Sequence, residues 1–329
     1  MSTTQVFKTF ACATAENFQV SLESAGGTVS SGAQNWNFKL DQTEQTKVLA
    51  LDSKITLTGA LATLEALFGL DPACQKISLP AGPSELKNLL GAKADSFEVE
   101  RTDFFQLRPL WVHNGLENVT PERWTETKEV KHPIRPRIQE GQVLYQRSIP
   151  GIDKVVRFRV ADIEKDLDIF HEWHNQPRVL KFWELDKPKE ELRDYLKKGL
   201  QDPHQFPVIL EFDETPIGYF EMYWTKEDRL GPYYDSEAFD RGFHFLIGNI
   251  EVLGFKNTDA ILKAVCHYLF LEEPRTRKIM AEPRSDNTNV LKYLETFKAW
   301  RKVKEFDFPH KRAALLECKR ELFFGNNYL

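Results

Sequence analysis

The string FDRGFHFLIG, residues 239 to 248, sets a histidine inside an apolar run. An imidazole titrates near neutrality, so His244 can take up or give a proton where its neighbours cannot. On an extended strand Phe243, Phe245 and Ile247 share one face, and His244, Leu246 and Gly248 share the other. Position alone leaves two readings open: a core histidine with a hydrogen-bond partner, or a proton-transfer group at a cleft. Asp286, in EPRSDN, stands in the same way between a helix-capping aspartate and a carboxylate that orients an imidazole or acts as a base. Other signals carry less. HEWH at 171–174 spaces its histidines three apart and lacks a further ligand, so it is not the H-E-x-x-H metal motif, and no metal is expected. Cys266 falls mid-helix beside Val265 and reads as a buried thiol rather than a nucleophile.

The elements around these residues are legible in the second half of the chain. VVRFRVAD alternates as a strand, and Asp162 can cap a helix running to about His174. EELRDYLKKGLQ is an amphipathic helix. PVILEFD, the turn ETP and IGYFEMYW make a hairpin, and RGFHFLIG is the next strand. A helix capped by Thr258 and stopped by Pro274 follows, then the strand RKIMAEP, the helix SDNTNVLKYLETF, and two strands in KVKEFDF and RAALLECKREL. This β–α–α–β–β–β–α–β–α–β–β order predicts an α/β domain with a mixed central sheet and helices on both faces. The first half is less regular. It offers a strand at 47–52, a helix near 57–69 and an alternating stretch FEVERTDFFQL, enough for a smaller α/β domain without a chemical motif.

A chain of 329 residues suits two domains. The polar stretch at 118–142, with HPIRPR in it, reads as a linker, which puts the boundary near residue 140 and the domains at 1–140 and 141–329. There are 15 basic and 17 acidic side chains before residue 151, and 29 and 32 after it. Neither half is a basic platform, which argues against nucleic acid as a partner. No apolar run reaches the roughly 18 residues a membrane span needs, and the first residues do not form a secretory signal. Four scattered cysteines without C-x-x-C spacing suit reduced thiols in the cytoplasm.

The element order over roughly residues 150–325 resembles the GNAT acyl-CoA N-acyltransferase fold. Within it, PIGYFEMYWTKEDRLGPYYDSEAFDRGFHFLIG, LFLEEPRTRKIMAEPRSDN and VKEFDFPHKR are similar to the aerobactin-type siderophore acyltransferases, the N6-hydroxylysine O-acetyltransferase family. The linker string RPRIQEGQVLYQR is similar as well. The resemblance implies transfer of an acyl group, acetyl first, from CoA to the hydroxylated side-chain nitrogen of an amino acid, which makes a hydroxamate for siderophore assembly. It implies a small N-hydroxyamine substrate, with an N-monooxygenase and a siderophore synthetase as pathway neighbours. Succinyl-CoA or another acyl-CoA, with hydroxyornithine or hydroxycadaverine, is the alternative, and so is a non-catalytic acyl-CoA-binding module. The N-terminal domain is then a degenerate relative of the same fold or a platform for a homodimer.

The resemblance also distributes roles. His244 and Asp286 become the expected catalytic pair. The phosphates of CoA are expected where GNIEVLGFKNTDA opens a helix, since the first turn of a helix carries unsatisfied N–H groups and partial positive charge. Gly254, Phe255, Lys256 and Asn257 lie there. Only the central glycine of the family's Q/R-x-x-G-x-G/A pattern is kept, with Glu251 first and Lys256 where a second small residue is expected. Leu246, Ile247 and Gly248 would flank the pantetheine, Leu246 N–H would face the thioester oxygen, and Asn287 would add a contact. A tyrosine that protonates the thiolate in many GNAT enzymes falls on Leu294 here, with Tyr293 one position away. The acceptor is expected opposite CoA, among Trp183, Glu184, Glu221, Tyr223, Arg241 and His310, because carboxylates suit its cationic end and an arginine its carboxylate. A lysine amine, with a pKa near 10.4, is only ~0.04% neutral at pH 7. An N-hydroxyamine is far less basic, so alignment and proton transfer matter more than a strong base.

Overall fold

The computed structural model describes residues 4–42, 47–127, 129–136 and 138–329. It divides into two compact units, one made of residues 1–117, 145–155 and 329, the other of 118–144 and 156–328.

The first unit is a seven-stranded sheet in chain order: β1 (Gln5–Ala11), β2 (Glu16–Glu23), β3 (Gly26–Ser31), β4 (Gln34–Gln42), β5 (Lys47–Leu51), β6 (Lys76–Leu79) and β7 (Phe97–Glu100). Alternation builds it, as in β4, where Trp36, Phe38 and Leu40 are buried and their neighbours exposed. Helix α1 (Leu57–Leu70), capped by Thr56, crosses between β5 and β6, the parallel pair of the sheet, and its residues from Thr58 to Phe68 are buried. The short helices α2 (Ser84–Leu89) and α3 (Arg101–Phe104) follow β6 and β7. The predicted strand and helix at 47–52 and 57–69 are present. The alternating FEVERTDFFQL is a strand only to Glu100, after which the chain turns into α3.

The stretch 118–142, expected to be a linker, falls in residues 118–144, which group with the second unit. They form the hairpin β8 (Trp124–Thr127) and β9 (Val130–Pro133) and lead to β10 (Val143–Ile149). Arg135 explains the grouping. It is buried, donates twice to Glu227 (2.9 and 3.0 Å), and stacks on Trp224 (4.2 Å) and Phe239 (5.5 Å). Arg241 covers the same Trp224 and Arg275 the same Phe239. Such cation–π contacts stabilise more when desolvated.

The second unit continues β11 (Lys154–Val160), α4 (Ile163–His174), α5 (Pro177–Trp183), α6 (Lys189–Gln201), β12 (Gln205–Phe212), β13 (Thr215–Trp224), β14 (Arg241–Ile247), α7 (Phe255–Glu272), β15 (Lys278–Ala281), α8 (Thr288–Thr296), β16 (Trp300–Asp307), β17 (Arg312–Lys319) and α9 (Arg320–Gly325). Within the second unit the sheet order is β11-β12-β13-β14-β15-β17-β16. Among these strands β14 and β15 are the parallel pair, joined through α7. Asp162 caps α4 as predicted. Three details differ from the sequence reading. The strand expected over RAALLECKREL ends at Lys319, where α9 begins. Helix α5 is additional. Helix α7 starts three residues before Thr258, because Gly254 adopts φ +143, which only glycine tolerates, and its carbonyl already accepts the Thr258 N–H (3.0 Å). On one face of the sheet Ile209, Tyr219 and Leu246 pack with Phe170 and Trp173 of α4, Val179 of α5 and Leu192 of α6.

Candidate active site

Strand β14 parts from its parallel neighbour early. Its ladder with β15 holds at Arg241–Ile279 and Gly242–Met280, while β14 itself runs on to Ile247. The antiparallel ladder with β13 continues, pairing Glu221 with His244 and Tyr219 with Leu246. Thr225 N–H donates to Asp240 O (3.0 Å) at one end of that ladder and Gly248 N–H to Ile217 O (2.8 Å) at the other. Hydrogen-bonded pairs alternate along an antiparallel ladder. Gly242, His244 and Leu246 therefore turn their N–H groups to β13, and Phe245 and Ile247 turn theirs to the side that β15 has left. The expectation that Leu246 N–H faces the thioester is corrected by this alternation. The donors on the open side are those of Phe245 and Ile247.

His244 lies between two carboxylates. Its Nε2 is 2.8 Å from Glu282 Oε1 and its Nδ1 3.3 Å from Glu221 Oε2. A carboxylate only accepts, so both ring nitrogens donate and the ring is an imidazolium. Burial alone would depress its pKa, but Glu282 and Glu221 raise it to about 10. Burial alone would raise Glu282; His244, Lys311 and Tyr223 lower it to about 2. Glu221 shifts downward for the same reason, its burial outweighed by His244 and then Tyr195. The His244 side chain keeps 25% of its exposure, against 1% for Glu282, so a ligand can reach the ring.

Each carboxylate has a second set of partners. Glu221 Oε1 accepts from the hydroxyls of Tyr195 and Tyr219. Glu282 Oε2 accepts from Tyr223 (2.8 Å), and Lys311 Nζ donates to the Glu282 carbonyl (2.7 Å). The Tyr223 ring lies across Gly242 to reach Glu282, and its centre is 4.9 Å from that of His244. A Cβ on Gly242 would stand 2.4 Å from that ring. We expect Gly242→Ala to displace Tyr223, destabilise the fold by about 1–3 kcal/mol and lower turnover roughly tenfold; urea unfolding and steady-state kinetics check both.

Asp286 is not the partner of the imidazole. It is 69% exposed and forms a two-pronged pair with Arg284 (3.0 Å). Glu282, four residues earlier in the same AEPRSDN string, occupies the expected position, just past the last parallel pair Gly242–Met280 and within 2.8 Å of His244 Nε2. Arg241 is also corrected as a substrate ligand. It lies on the face opposite His244, fully buried, bonded to Glu272 (2.5 Å) and stacked on Trp224 (3.9 Å). Glu221 and Tyr223 do line the site, but as supports of His244 and Glu282. Trp183 stands 6.4 Å from His244, edge to face. Glu184 ends α5 in left-handed backbone (φ 53) and acts electrostatically on Arg284 and His310. His310 is exposed, stacks on Phe308 (5.3 Å), and is pushed down by partial burial and by Arg229 and Lys311.

The start of α7 is open. No side chain caps it, Gly254 has nothing within 4 Å of where a Cβ would be, and Phe255 and Lys256 are exposed. Asn257 turns back to the Val252 carbonyl (2.9 Å). Asn287 caps its own helix by accepting from Val290 N–H (3.4 Å), so that oxygen is already committed. Gly248 packs against Trp173 and, with Gln176, Arg178, Asn249 and Ile250, lines a cleft of about 710 Å³. Arg178 donates to the carbonyls of Ile247 (2.5 Å) and Gly248 (2.8 Å). Uncapped helix donors, an open strand edge and an adjoining cleft fit the phosphates and amide arm of an acyl-CoA. Tyr293 donates to Asp259 (2.9 Å), and burial and that carboxylate raise its pKa.

Residues 162–308 match the acetyltransferase (GNAT) domain family. Over 227 residues, 69% of this chain and 71% of the relative, the sequence is 39% identical to an N(6)-hydroxylysine O-acetyltransferase of Escherichia coli. The chain belongs to this family of GNAT acyltransferases. A second relative of the acyltransferase, 38% identical over 207 residues, is an N(5)-hydroxyornithine:cis-anhydromevalonyl coenzyme A-N(5)-transacylase of Beauveria bassiana; the match covers 62% of this chain and 45% of that one. The solved structure of an uncharacterized protein from Bacillus halodurans shares the fold at 30% identity and TM-score 0.52, over 58% of this chain and 96% of that one.

What sequence reasoning missed in this acyltransferase is the second ring of partners: Glu282, Tyr195, Tyr219 and Lys311. Glu282 had a readable signal, since parallel pairing of RGFHF with RKIMAE places it beside His244. Tyr195 had none, because its helix reaches the site only through packing.

Proposed function

We propose that this acyltransferase moves an acetyl group from acetyl-CoA to the side-chain nitrogen of N6-hydroxylysine, yielding a hydroxamate. The imidazolium of His244, held between Glu221 and Glu282 beside the open edge of β14, is the observation that carries the reading. The hydroxyamine is already neutral at pH 7, so attack needs a modest proton acceptor. The departing thiolate needs a proton. As the N–C bond forms and the C–S bond breaks, His244 gives a proton to sulfur and Glu282 takes one from nitrogen. Glu282 then returns it to His244 across their 2.8 Å contact, which restores both groups. Ile247 and Phe245 N–H groups supply hydrogen bonds along the open edge, and Gly254, Phe255, Lys256 and Asn257 receive the phosphates. Lys311 and Arg229, beside Glu282, suit the carboxylate of the amino-acid acceptor.

In this reading an N-oxygenating enzyme supplies the substrate and a synthetase consumes the hydroxamate, in the cytoplasm. The test is a thioester-cleavage panel of hydroxylysine, hydroxyornithine and hydroxycadaverine against acetyl- and succinyl-CoA. Highest kcat/KM on hydroxylysine with acetyl-CoA is expected. CoA binding without turnover on any hydroxyamine would reduce the chain to a binding module. No helix among the described residues is long and apolar enough to cross a membrane.

A further inference from the structure

The wall of the site contains a hydrogen-bonding atom that the mechanism above leaves unused. His174, the last residue of α4, is fully buried. Its Nδ1 lies 2.9 Å from the Phe170 carbonyl. A carbonyl only accepts, so Nδ1 carries the proton, and burial lowers the pKa and keeps the ring neutral. Nε2 is therefore a bare lone pair, and it has no hydrogen-bond partner among the described residues. The tyrosine hydroxyls and the second imidazole nearby are committed elsewhere: Tyr195 and Tyr219 to Glu221, Tyr223 to Glu282, and both N–H groups of His244 to the two carboxylates. Buried acceptors are rarely left unpaired.

The ring is close to the chemistry. It stands 5.3 Å from Trp183 and 5.9 Å from Tyr219, and Trp183 in turn stands 6.4 Å from His244. Trp183 thus bridges the two imidazoles. It is only partly buried and closes a seven-residue helix. We infer that His174 Nε2 accepts a hydrogen bond from a substrate hydroxyl, and that this hydroxyl is the N–OH of the acceptor. The inference rests on the proposed function. An N-hydroxyamine brings an O–H bonded directly to the reacting nitrogen. An unmodified amine has no such O–H, and at neutral pH it is an ammonium, which has no lone pair to attack with. His174 is thereby a specificity residue that distinguishes the hydroxylated nitrogen from the plain one.

The experiment compares N6-hydroxylysine with N6-methoxylysine, which keeps the nucleophile and lacks the O–H, in the full chain and in His174→Phe and His174→Gln. The parent is expected to favour the hydroxyl compound by about tenfold or more in kcat/KM. In His174→Phe the loss falls mainly on the hydroxyl compound and the preference collapses, with KM for acetyl-CoA little changed. In His174→Gln, whose amide oxygen accepts, part of it returns. A parent that does not discriminate, or a Phe variant that slows both acceptors alike, overturns the inference. So does a shift in preference between acetyl-CoA and 3-hydroxybutyryl-CoA with the acceptor preference intact, which would place the hydroxyl on the acyl group. Absence of turnover on any hydroxyamine removes the proposed function as well, whereas turnover without discrimination removes this inference alone.

Discussion

Glu282→Gln should lower kcat for hydroxyamine acylation by about 10²–10³-fold, while Asp286→Asn stays within about threefold of the parent. The asymmetry follows from geometry. Glu282 is 3% exposed, 2.8 Å from His244 Nε2, and bonded to Tyr223. The amide keeps its shape and can still accept from one donor, but it has no charge to hold the imidazolium and cannot take a proton from the attacking nitrogen. Asp286 keeps its charge balanced by Arg284 at the surface, where pairs contribute little. Equal losses in both variants would restore Asp286 as the partner of His244; near-normal turnover in Glu282→Gln would remove the proton return described above. Single-turnover acyl transfer, read with the dissociation constant for CoA, separates chemistry from binding.

The second large effect is that of His244→Gln, on rate and on stability together. Turnover should fall by about 10³-fold, since the proton donor is gone. The loss of the cation leaves Glu221 and Glu282 buried without it, a kind of break that costs about 3–5 kcal/mol. The pH dependence has a definite sign. The folded pKa of His244 is raised to about 10, so its contribution to stability is full below its ordinary value of 6.5 and is lost as pH rises through about 10. The folded pKa of Glu282 is lowered to about 2, so its contribution is full above 4.5 and is lost as pH falls through about 2. The gap in urea stability between parent and variant should therefore be widest near pH 5–6 and narrow toward pH 10. A gap that widens with rising pH would contradict an imidazolium in the folded protein.

Much of the second unit was legible in the sequence because its strands and helices carry clean periods. Asp162 caps α4 where expected, and the alternation of FHFLIG put His244 and Leu246 on the same face. The errors have a common physical source. Which groups a strand offers to a ligand depends on the phase of its ladder, and phase is a property of two strands. That is why Leu246 N–H was misassigned and why Glu282 was overlooked in favour of Asp286. Arg241 was misread because its counter-charge, Glu272, lies 31 residues away on α7. The polar, proline-bearing stretch around HPIRPR looked like a tether because composition does not reveal that an arginine will be sandwiched between Trp224 and Phe239.

That sandwich bears on how the protein can be dissected. Glu227 is 3% exposed, and its charge is balanced by Arg135, with His132 3.0 Å away. A catalytic fragment begun at residue 141 would discard both partners, bare two aromatic faces to water and strand an acid in a dry wall. The segment that looks like the natural place to cut is part of the masonry, and a fragment meant to keep the chemistry has to begin ahead of it.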